Sequence, residues 1–182
     1  MIIVKNLFYK VCRKFIFWKS NFIKKFNKNY YTWLAKQTVR SFQEPLKINN
    51  RTILTANTYL GSNTNFNGLE IKGTGKIEIG KNFHSGVNCK IITSFHNFEG
   101  IKVPYDHTLI HKNVKIGDNV WIGDDVIILG GVTIGEGAII QAGSVVVSSI
   151  AECGIAGGHP AKVFKYRNIE NYNTLKSSGQ FH

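Results

Sequence analysis

The feature that most constrains the fold of this chain is a six-residue repeat that runs through residues 114–147. A period of six does not return a residue to the same face of an α-helix, which has about 3.6 residues per turn. The period instead fits short strands joined by tight turns, in which Gly, Asn or Asp accepts a positive φ. An aliphatic residue returns at every sixth position: Ile116, Ile122, Ile128, Ile134, Ile140 and Val146.

One such unit cannot bury its own apolar face, so consecutive units must stack on one another. The repeat therefore predicts a parallel β-helix. The same rhythm extends more weakly upstream to Ile48 and is interrupted between Ile91 and Ile110, which are 19 residues apart instead of 18. Residues 95–108 do not match the pattern, and we expect them to leave the coil as a loop, where solenoids usually carry functional residues.

The N-terminal part of the chain is strongly basic. The whole chain has 23 Lys and Arg against 11 Asp and Glu, and residues 1–50 hold eleven of these bases with Glu44 as the single acid. Residues 5–40 lack Gly and Pro, and large apolar residues recur there at three- and four-residue steps, which predicts a basic amphipathic helix. The residues of this stripe are Leu7, Val11, Phe15, Trp18, Phe22 and Phe26.

Two interpretations of this helix remain open. It can pack its apolar stripe on the repeat domain or on a neighbouring subunit, or residues 1–40 can contact an anionic membrane surface peripherally. Nucleic acid is disfavoured as a partner, because the aromatic side chains form a stripe instead of a stacking platform among the bases. The predicted organisation is a helical segment (1–47), a β-helix with its loop (48–150), and a C-terminal segment with a polar tail (151–182).

The three cysteines, Cys12, Cys89 and Cys153, are dispersed and show no CxxC spacing. This pattern favours a reducing compartment and disfavours both a disulfide framework and a structural zinc site. No apolar run approaches the ~20 residues that span a bilayer. We therefore predict a cytoplasmic protein, with the inner face of the membrane as its site if the basic helix binds lipid.

Three further segments accompany the repeats: NVWIG at 119–123, QAGSVV at 141–146 and GGHPAKV at 157–163. Together they resemble the hexapeptide-repeat acyltransferases, and most closely the sugar and polysaccharide O-acetyltransferases, over roughly residues 50–168. The resemblance implies an all-β, left-handed parallel β-helix that assembles as a homotrimer with active sites between subunits. It also implies acetyl-CoA as co-substrate and a carbohydrate acceptor, such as a capsule, lipopolysaccharide or exopolysaccharide.

Acetyl transfer to a sugar needs a general base, because a hydroxyl group near pH 7 is a poor nucleophile, and His has a suitable pKa. His96, at the start of the loop, resembles the catalytic histidine of the family, and Trp121 resembles a tryptophan that positions the acetyl group. Asn65 resembles an acceptor-binding asparagine, with a turn residue as the alternative. His107 closes the loop and is a second candidate for the acceptor pocket, with a surface position as the alternative.

Coenzyme A is expected to lie along small residues of the coil, with its phosphates near basic side chains. Lys162 and Arg167 suit the phosphates, whereas each glycine has a role in a turn as its alternative. The predicted cofactor-binding residues are Gly123, Gly131, Ala142, Gly143, Ser144, Gly157, Lys162 and Arg167.

The function predicted from sequence is direct acetyl transfer from acetyl-CoA to a sugar hydroxyl, with His96 as the base and no metal. The nearest alternative is an aminosugar or nucleotide-sugar N-acetyltransferase. A zinc hydratase resembling the γ-class carbonic anhydrases is less favoured, because the spacing of the histidines differs from the pattern of that family. A non-catalytic scaffold is the remaining alternative, since a fold does not by itself establish an activity.

Overall fold

The computed structural model describes the backbone of residues 2–182 and the side chains of residues 13, 14 and 16–182. The elements are α1 (Ile2–Thr38), β1 (Leu46–Ile48), β2 (Thr58–Leu60), β3 (Thr64–Phe66), β4 (Leu69–Lys72), β5 (Ile77–Ile79), β6 (His84–Ser85), β7 (Cys89–Ile92), β8 (Ser94–His96), β9 (Leu109–His111), β10 (Val114–Ile116), β11 (Trp121–Ile122), β12 (Ile127–Leu129), β13 (Thr133–Ile134), β14 (Ile139–Ile140), β15 (Val145–Val146), β16 (Gly154–Gly158), β17 (Ala161–Tyr166) and α2 (Ile169–Ser177).

The strands form a coil with three faces. Face A contains β2, β5, β10 and β13, face C contains β4, β7, β12 and β15, and face B contains β1, β3, β6, β11, β14, β16 and β17. Between β2 and β15, apart from β8 and β9, consecutive strands lie on successive faces and pair in parallel with the strand one coil away. The predicted parallel β-helix is therefore confirmed, and the hexapeptide repeats fit its left-handed form.

The interior is filled by the aliphatic residues that define the repeat. Ile122, Ile128 and Ile134 are fully buried, and Phe66 and Phe83 pack tilted against each other with their ring centroids 5.3 Å apart. Each strand of two to four residues places its alternate side chains inward, as the pleat requires. The core is thus a column of mainly apolar side chains that also includes the buried Thr58, Thr64 and Ser85.

Three asparagines stack along one corner of the coil, and we call them the asparagine ladder. Asn63, Asn82 and Asn119 have φ values of 55°, 54° and 61°, in the left-handed region that Asn tolerates better than most residues. Asn63 Nδ2 donates to Asn82 Oδ1 at 2.9 Å, and Asn82 Nδ2 donates to Asn119 Oδ1 at 2.8 Å. The ladder fixes both the turn conformation and the stacking of successive coils.

The predicted loop leaves the coil as a hairpin. Strands β8 and β9 pair antiparallel, with His96 opposite Leu109 and Ser94 opposite His111. Residues 97–108 connect the two strands, and the amide of Asn97 donates to the carbonyl of Thr108 at 3.1 Å.

The segment after residue 151 forms a hairpin and a helix. Strand β16 continues face B in parallel with β14, and β17 then folds back on β16 as an antiparallel hairpin. Helix α2 follows, with the Asn168 side chain accepting a hydrogen bond from the Asn171 amide as an N-cap. This segment depends on tertiary contacts and not on the six-residue repeat, because β16 pairs with β14, β17 pairs with β16, and Tyr172 of α2 donates to Glu136 of the coil.

Helix α1 is confirmed, and it docks on the coil near its C-terminal end. Ala35 is buried, Tyr31 packs against the core, and the Thr32 hydroxyl accepts a hydrogen bond from the Ile48 amide at 3.3 Å. The side chains of Leu7, Val11 and Phe15 lie outside the described residues. Within residues 2–182, no helix combines the length and apolar character needed to cross a bilayer.

The rest of the predicted stripe does not pack on the coil. Trp18, Phe22 and Phe26 are 62%, 61% and 61% exposed. Tyr31 and Ala35 follow Phe22 and Phe26 by nine residues, which at about 100° per residue is half a turn of the helix. The docking face of α1 is therefore opposite its aromatic stripe.

Candidate active site

A column of outward-facing residues crosses face B. The strand register places Asn65 beside His84, His84 beside Trp121, and Trp121 beside Ile139. These residues project outward because their neighbours Phe66, Ser85, Ile122 and Ile140 fill the core. Trp121 remains 51% exposed, so a large aromatic surface is open to a ligand or to a neighbouring subunit.

A network of hydrogen bonds joins Asn65 to His84. Asn49 Nδ2 donates to Asn65 Oδ1 at 2.7 Å and to Asn67 Oδ1 at 2.9 Å. Asn67 Nδ2 in turn lies 3.0 Å from His84 Nε2 and donates to the Ser85 carbonyl at 2.9 Å. Because the amide group donates, His84 Nε2 acts as the acceptor in this contact.

Burial lowers the pKa of His84, and the nearby His182 lowers it further. Both effects keep His84 neutral, as its role as an acceptor requires. The structure places His84 on β6 in the centre of the column. The signal that identifies it is the coil length, since His84 lies 19 residues after Asn65.

His96 lies on the β8–β9 hairpin and is exposed. Its ring stacks on Tyr105 with a centroid distance of 3.9 Å and an interplanar angle of 13°. Neither ring nitrogen of His96 forms a hydrogen bond to any residue in the described part of the chain. By contrast, His111 Nδ1 lies 2.6 Å from the hydroxyl of Ser94. The ring of His96 is therefore held in place while its nitrogens remain available.

Asp106 organises the loop that carries Tyr105. Its carboxylate accepts hydrogen bonds from the Thr108 hydroxyl at 2.6 Å, the Thr108 amide at 2.8 Å and the Ile101 amide at 3.1 Å. The side-chain hydrogen bond from Thr108, followed by its backbone hydrogen bond, lowers the pKa of Asp106. His107, the predicted acceptor-side residue, is exposed beside this carboxylate.

The residues predicted for catalysis and acceptor binding thus fall into two groups. Asn65 and Trp121 share face B, with His84 between them. His96 and His107 belong to the hairpin that follows β7, a strand of face C.

The small residues predicted to bind coenzyme A have clear roles in the coil. A Cβ on Gly123 would lie 2.6 Å from the amide nitrogen of Ala142 in the next coil, so this stacking requires glycine. Gly131 and Gly143 have φ values of 95° and 70°. The buried Ser144 hydroxyl donates to the Gln141 carbonyl at 2.7 Å and accepts from the Gly158 amide at 3.2 Å.

Lys162 and Arg167, the basic residues predicted to bind phosphate, differ in how many contacts their side chains make. Lys162 is exposed and lies opposite Gly157 in the strand pairing. Arg167 Nε donates to the Gly137 carbonyl at 2.6 Å, and its guanidinium group lies 5.6 Å from the ring centroid of Tyr172. Arg167 therefore joins the coil to α2, and Lys162 is the more accessible cation.

Helix α2 is joined to the coil at Glu136. The Tyr172 hydroxyl donates to Glu136 Oε1 at 2.8 Å, and Asn119 Nδ2 donates to the Tyr172 hydroxyl at 2.8 Å. Lys176 forms an ion pair with the same carboxylate at 2.5 Å. Burial raises the pKa of Tyr172 to about 12, with the hydrogen bond to Glu136 acting in the same direction. Across the residues whose side chains are described, no three His, Cys, Asp or Glu come together as a metal site.

Comparison with known proteins identifies the repeat. Residues 107–148 match the bacterial transferase hexapeptide family, described as six repeats. No curated protein sequence matches the chain.

Several solved structures with the same fold are acyltransferases. A maltose O-acetyltransferase from Clostridium difficile 630 is 35% identical, with a TM-score of 0.56 over 69% of this chain and 65% of that one. A galactoside acetyltransferase in complex with coenzyme A is 25% identical, with a TM-score of 0.55 over 74% of this chain and 63% of that one.

A variant of AntD, an N-acyltransferase from Bacillus cereus in complex with dTDP and coenzyme A, shares the fold. It is 21% identical, with a TM-score of 0.57 over 80% of this chain and 95% of that one. The chain spans less than two thirds of the length of the two sugar acetyltransferases. These findings confirm the resemblance predicted from sequence: this is a hexapeptide-repeat chain whose structural relatives include the maltose and galactoside acetyltransferases.

Proposed function

We propose that this protein is an acetyl-CoA-dependent O-acetyltransferase that acts on a sugar or on a cell-surface polysaccharide. The observation that carries the proposal is the exposed His96 ring, held by Tyr105 on a hairpin that interrupts a hexapeptide coil. An imidazole with free nitrogens and a fixed plane suits a general base. The likeness to a maltose O-acetyltransferase supports a carbohydrate as acceptor.

In the proposed reaction, His96 removes the proton of the acceptor hydroxyl as its oxygen attacks the thioester carbonyl of acetyl-CoA. The carbon–sulfur bond then breaks, the acetyl group stays on the sugar oxygen as an ester, and the leaving sulfur of coenzyme A takes the proton from His96, which returns the imidazole to its neutral form. No covalent enzyme intermediate is needed. Trp121 would position the acetyl group, and Asn65 would orient the acceptor by hydrogen bonding.

A homotrimer would complete the site. Within one chain, His96 follows a face C strand whereas Trp121 is on face B. A cyclic assembly in which one subunit presents its hairpin to face B of the next would bring both groups to one cleft. Lys162 and Arg167 would then lie near the phosphates of coenzyme A, and the small residues Gly123, Gly131, Ala142, Gly143, Ser144 and Gly157 would form the wall along its pantetheine arm.

The same proposal places the protein in the cytoplasm, on the inner face of the membrane. Its support is the aromatic stripe of α1, which extends from Trp18 through Phe26 to Trp33 and stays exposed while the opposite face docks on the coil. Aromatic side chains suit the interfacial zone of a bilayer, and a basic helix is attracted to anionic lipids.

The test is thiol release from acetyl-CoA in the presence of maltose, other free sugars and polysaccharides. We expect wild-type turnover with at least one acceptor, and a kcat for His96→Ala lower by roughly 10²- to 10⁴-fold, the usual contribution of a general base. Coenzyme A binding and thermal stability serve as controls and should be unchanged, because His96 is exposed and makes no hydrogen bond in the described chain. Undiminished turnover in a folded His96→Ala variant would exclude His96 as the base.

A further inference from the structure

A cleft between α1 and the coil carries an unassigned positive charge. Its volume is about 750 Å³, within the range of small-molecule sites. We call it the helix–coil cleft. Its lining residues are Lys24, Lys25, Asn27 and Lys28 of α1 with Asn49, Asn50, Asn67 and Val87 of the coil.

The charge of the helix–coil cleft is not compensated by the protein. Its described lining includes no Asp or Glu. Among the described side chains, the ion pairs of lysine involve Lys36, Lys72, Lys76 and Lys176, and none involves a lysine of the cleft. Three ammonium groups around a partly enclosed volume raise the local concentration of anions.

Two of the three cleft lysines, Lys24 and Lys28, lie on the side of α1 that docks on the coil. Lys24 and Lys28 precede Tyr31 and Ala35 by seven residues, so they share the docking face of the helix. Each also lies two residues from Phe22 or Phe26, which is about 200° around the helix. Lys24 and Lys28 thus lie on the side of α1 opposite the exposed aromatic residues, whereas Lys25 follows Trp18 by seven residues and lies on the aromatic side.

The coil wall of the cleft belongs to the same hydrogen-bond network as the predicted acceptor residue. Asn49 and Asn67 line the cleft, and Asn49 Nδ2 donates to Asn65 Oδ1 at 2.7 Å. Within the described chain, the Nδ2 groups of Asn50 and Asn65 have no hydrogen-bond acceptor. Amide donors and lysines beside one another match the oxygen atoms of phosphate esters.

We propose that the helix–coil cleft binds the phosphate or diphosphate of an activated glycan, so that the enzyme acetylates a sugar that is still joined to its phosphate carrier. This inference rests on the proposed O-acetyltransferase function and specifies its acceptor class. The carrier is a nucleotide or a membrane lipid, which share the same phosphate chemistry. In either case the lysines hold the phosphate while the sugar extends along the asparagine network toward Asn65.

Equilibrium binding to the full-length protein tests the inference without requiring turnover. The probes are a nucleoside-diphosphate sugar, a polyprenyl-diphosphate sugar in detergent micelles and the same sugar without phosphate. We compare the cleft variant Lys24→Gln/Lys25→Gln/Lys28→Gln with a matched variant of the same helix, Arg13→Gln/Lys14→Gln/Lys19→Gln. Both variants remove three positive charges, but only the first removes residues that line the cleft.

We expect the cleft variant to weaken binding of at least one diphosphate probe by about 10-fold or more, since charge-assisted contacts are the strong ones. The matched variant should change binding by less than about 3-fold, as remote exposed charges do. Preference for the nucleotide or the lipid probe identifies the carrier. Equal binding of phosphorylated and free sugar, or equal effects of the two variants, would overturn the inference.

Thiol release from acetyl-CoA separates this inference from the proposed function. If the wild-type protein acetylates free and phosphorylated sugars with equal kcat/KM and the cleft variant retains both activities, the cleft inference fails and the acetyltransferase stands. If diphosphate probes bind in a cleft-dependent way but no acceptor releases thiol, the proposed function fails and the phosphate site stands.

Discussion

Replacement of Asn82, the central member of the asparagine ladder, tests how the coils are held in register. Asn82 accepts a hydrogen bond from Asn63 and donates one to Asn119, and its backbone φ is 54°. Asn82→Ala removes both hydrogen bonds and forces alanine into the left-handed region. Asn82→Gly removes the same hydrogen bonds but leaves a residue that adopts this φ without strain.

The expected magnitudes follow from these two contributions. Two side-chain hydrogen bonds of about 1 kcal/mol each give a loss of about 2 kcal/mol for Asn82→Gly. The left-handed conformation adds about 1 kcal/mol for Asn82→Ala, for a total of about 3 kcal/mol. In a chain of this size, each kcal/mol lowers Tm by about 2–4 °C, so we expect a decrease of about 6–12 °C for alanine and about 4–8 °C for glycine.

Thermal unfolding followed by far-ultraviolet circular dichroism measures both values. A glycine variant as stable as the wild type would show that the ladder hydrogen bonds contribute nothing. An alanine variant that is no less stable than the glycine variant would refute the conformational part of the argument.

Two further predictions concern α2 and face B. Burial raises the pKa of Glu136, but hydrogen bonds from Lys176 and Tyr172 outweigh this effect, so the pKa lies below the ordinary value of 4.5. The stabilisation of α2 by the Glu136 carboxylate is therefore complete above pH 4.5 and is lost as the pH falls through the folded-state pKa. Limited proteolysis of α2 should therefore become faster as the pH falls through this range. The increase should be less steep in Glu136→Gln. Trp121→Ala should lower kcat/KM for acetyl transfer while changing Tm little, because Trp121 is half exposed; an unchanged kcat/KM would remove its positioning role.

The repeat region of the fold could be predicted because residues close together in the sequence define each repeat unit. An aliphatic side chain at every sixth position, such as Ile122 or Ile128, is buried only when neighbouring coils stack on one another. The hairpin of β16 and β17 could not be predicted in this way, because β16 pairs with β14 and β17 pairs only with β16. Its residues carry no six-residue period that would place them.

The site was predictable only in part for a related reason. His96 is marked by the break in the repeat, so its place on an excursion followed from the sequence. The role of His84 in the column depends on coil lengths of 19 residues from Asn65 and 37 residues to Trp121, which the hairpin makes irregular. The helix–coil cleft depends on where α1 docks. The sequence left open whether the apolar stripe faces the coil, a neighbouring subunit or a membrane, and the structure docks the opposite side of the helix on the coil.

The most direct test of the central claim is the chemical identity of the acetylated product. Radiolabelled acetyl-CoA is incubated with the protein and the best acceptor from the thiol-release assay, and the purified product is treated with mild alkali. We expect an alkali-labile acetyl ester on the sugar, formed by the wild-type protein and reduced to background by His96→Ala. An alkali-stable acetamide would contradict it and would identify an N-acetyltransferase instead.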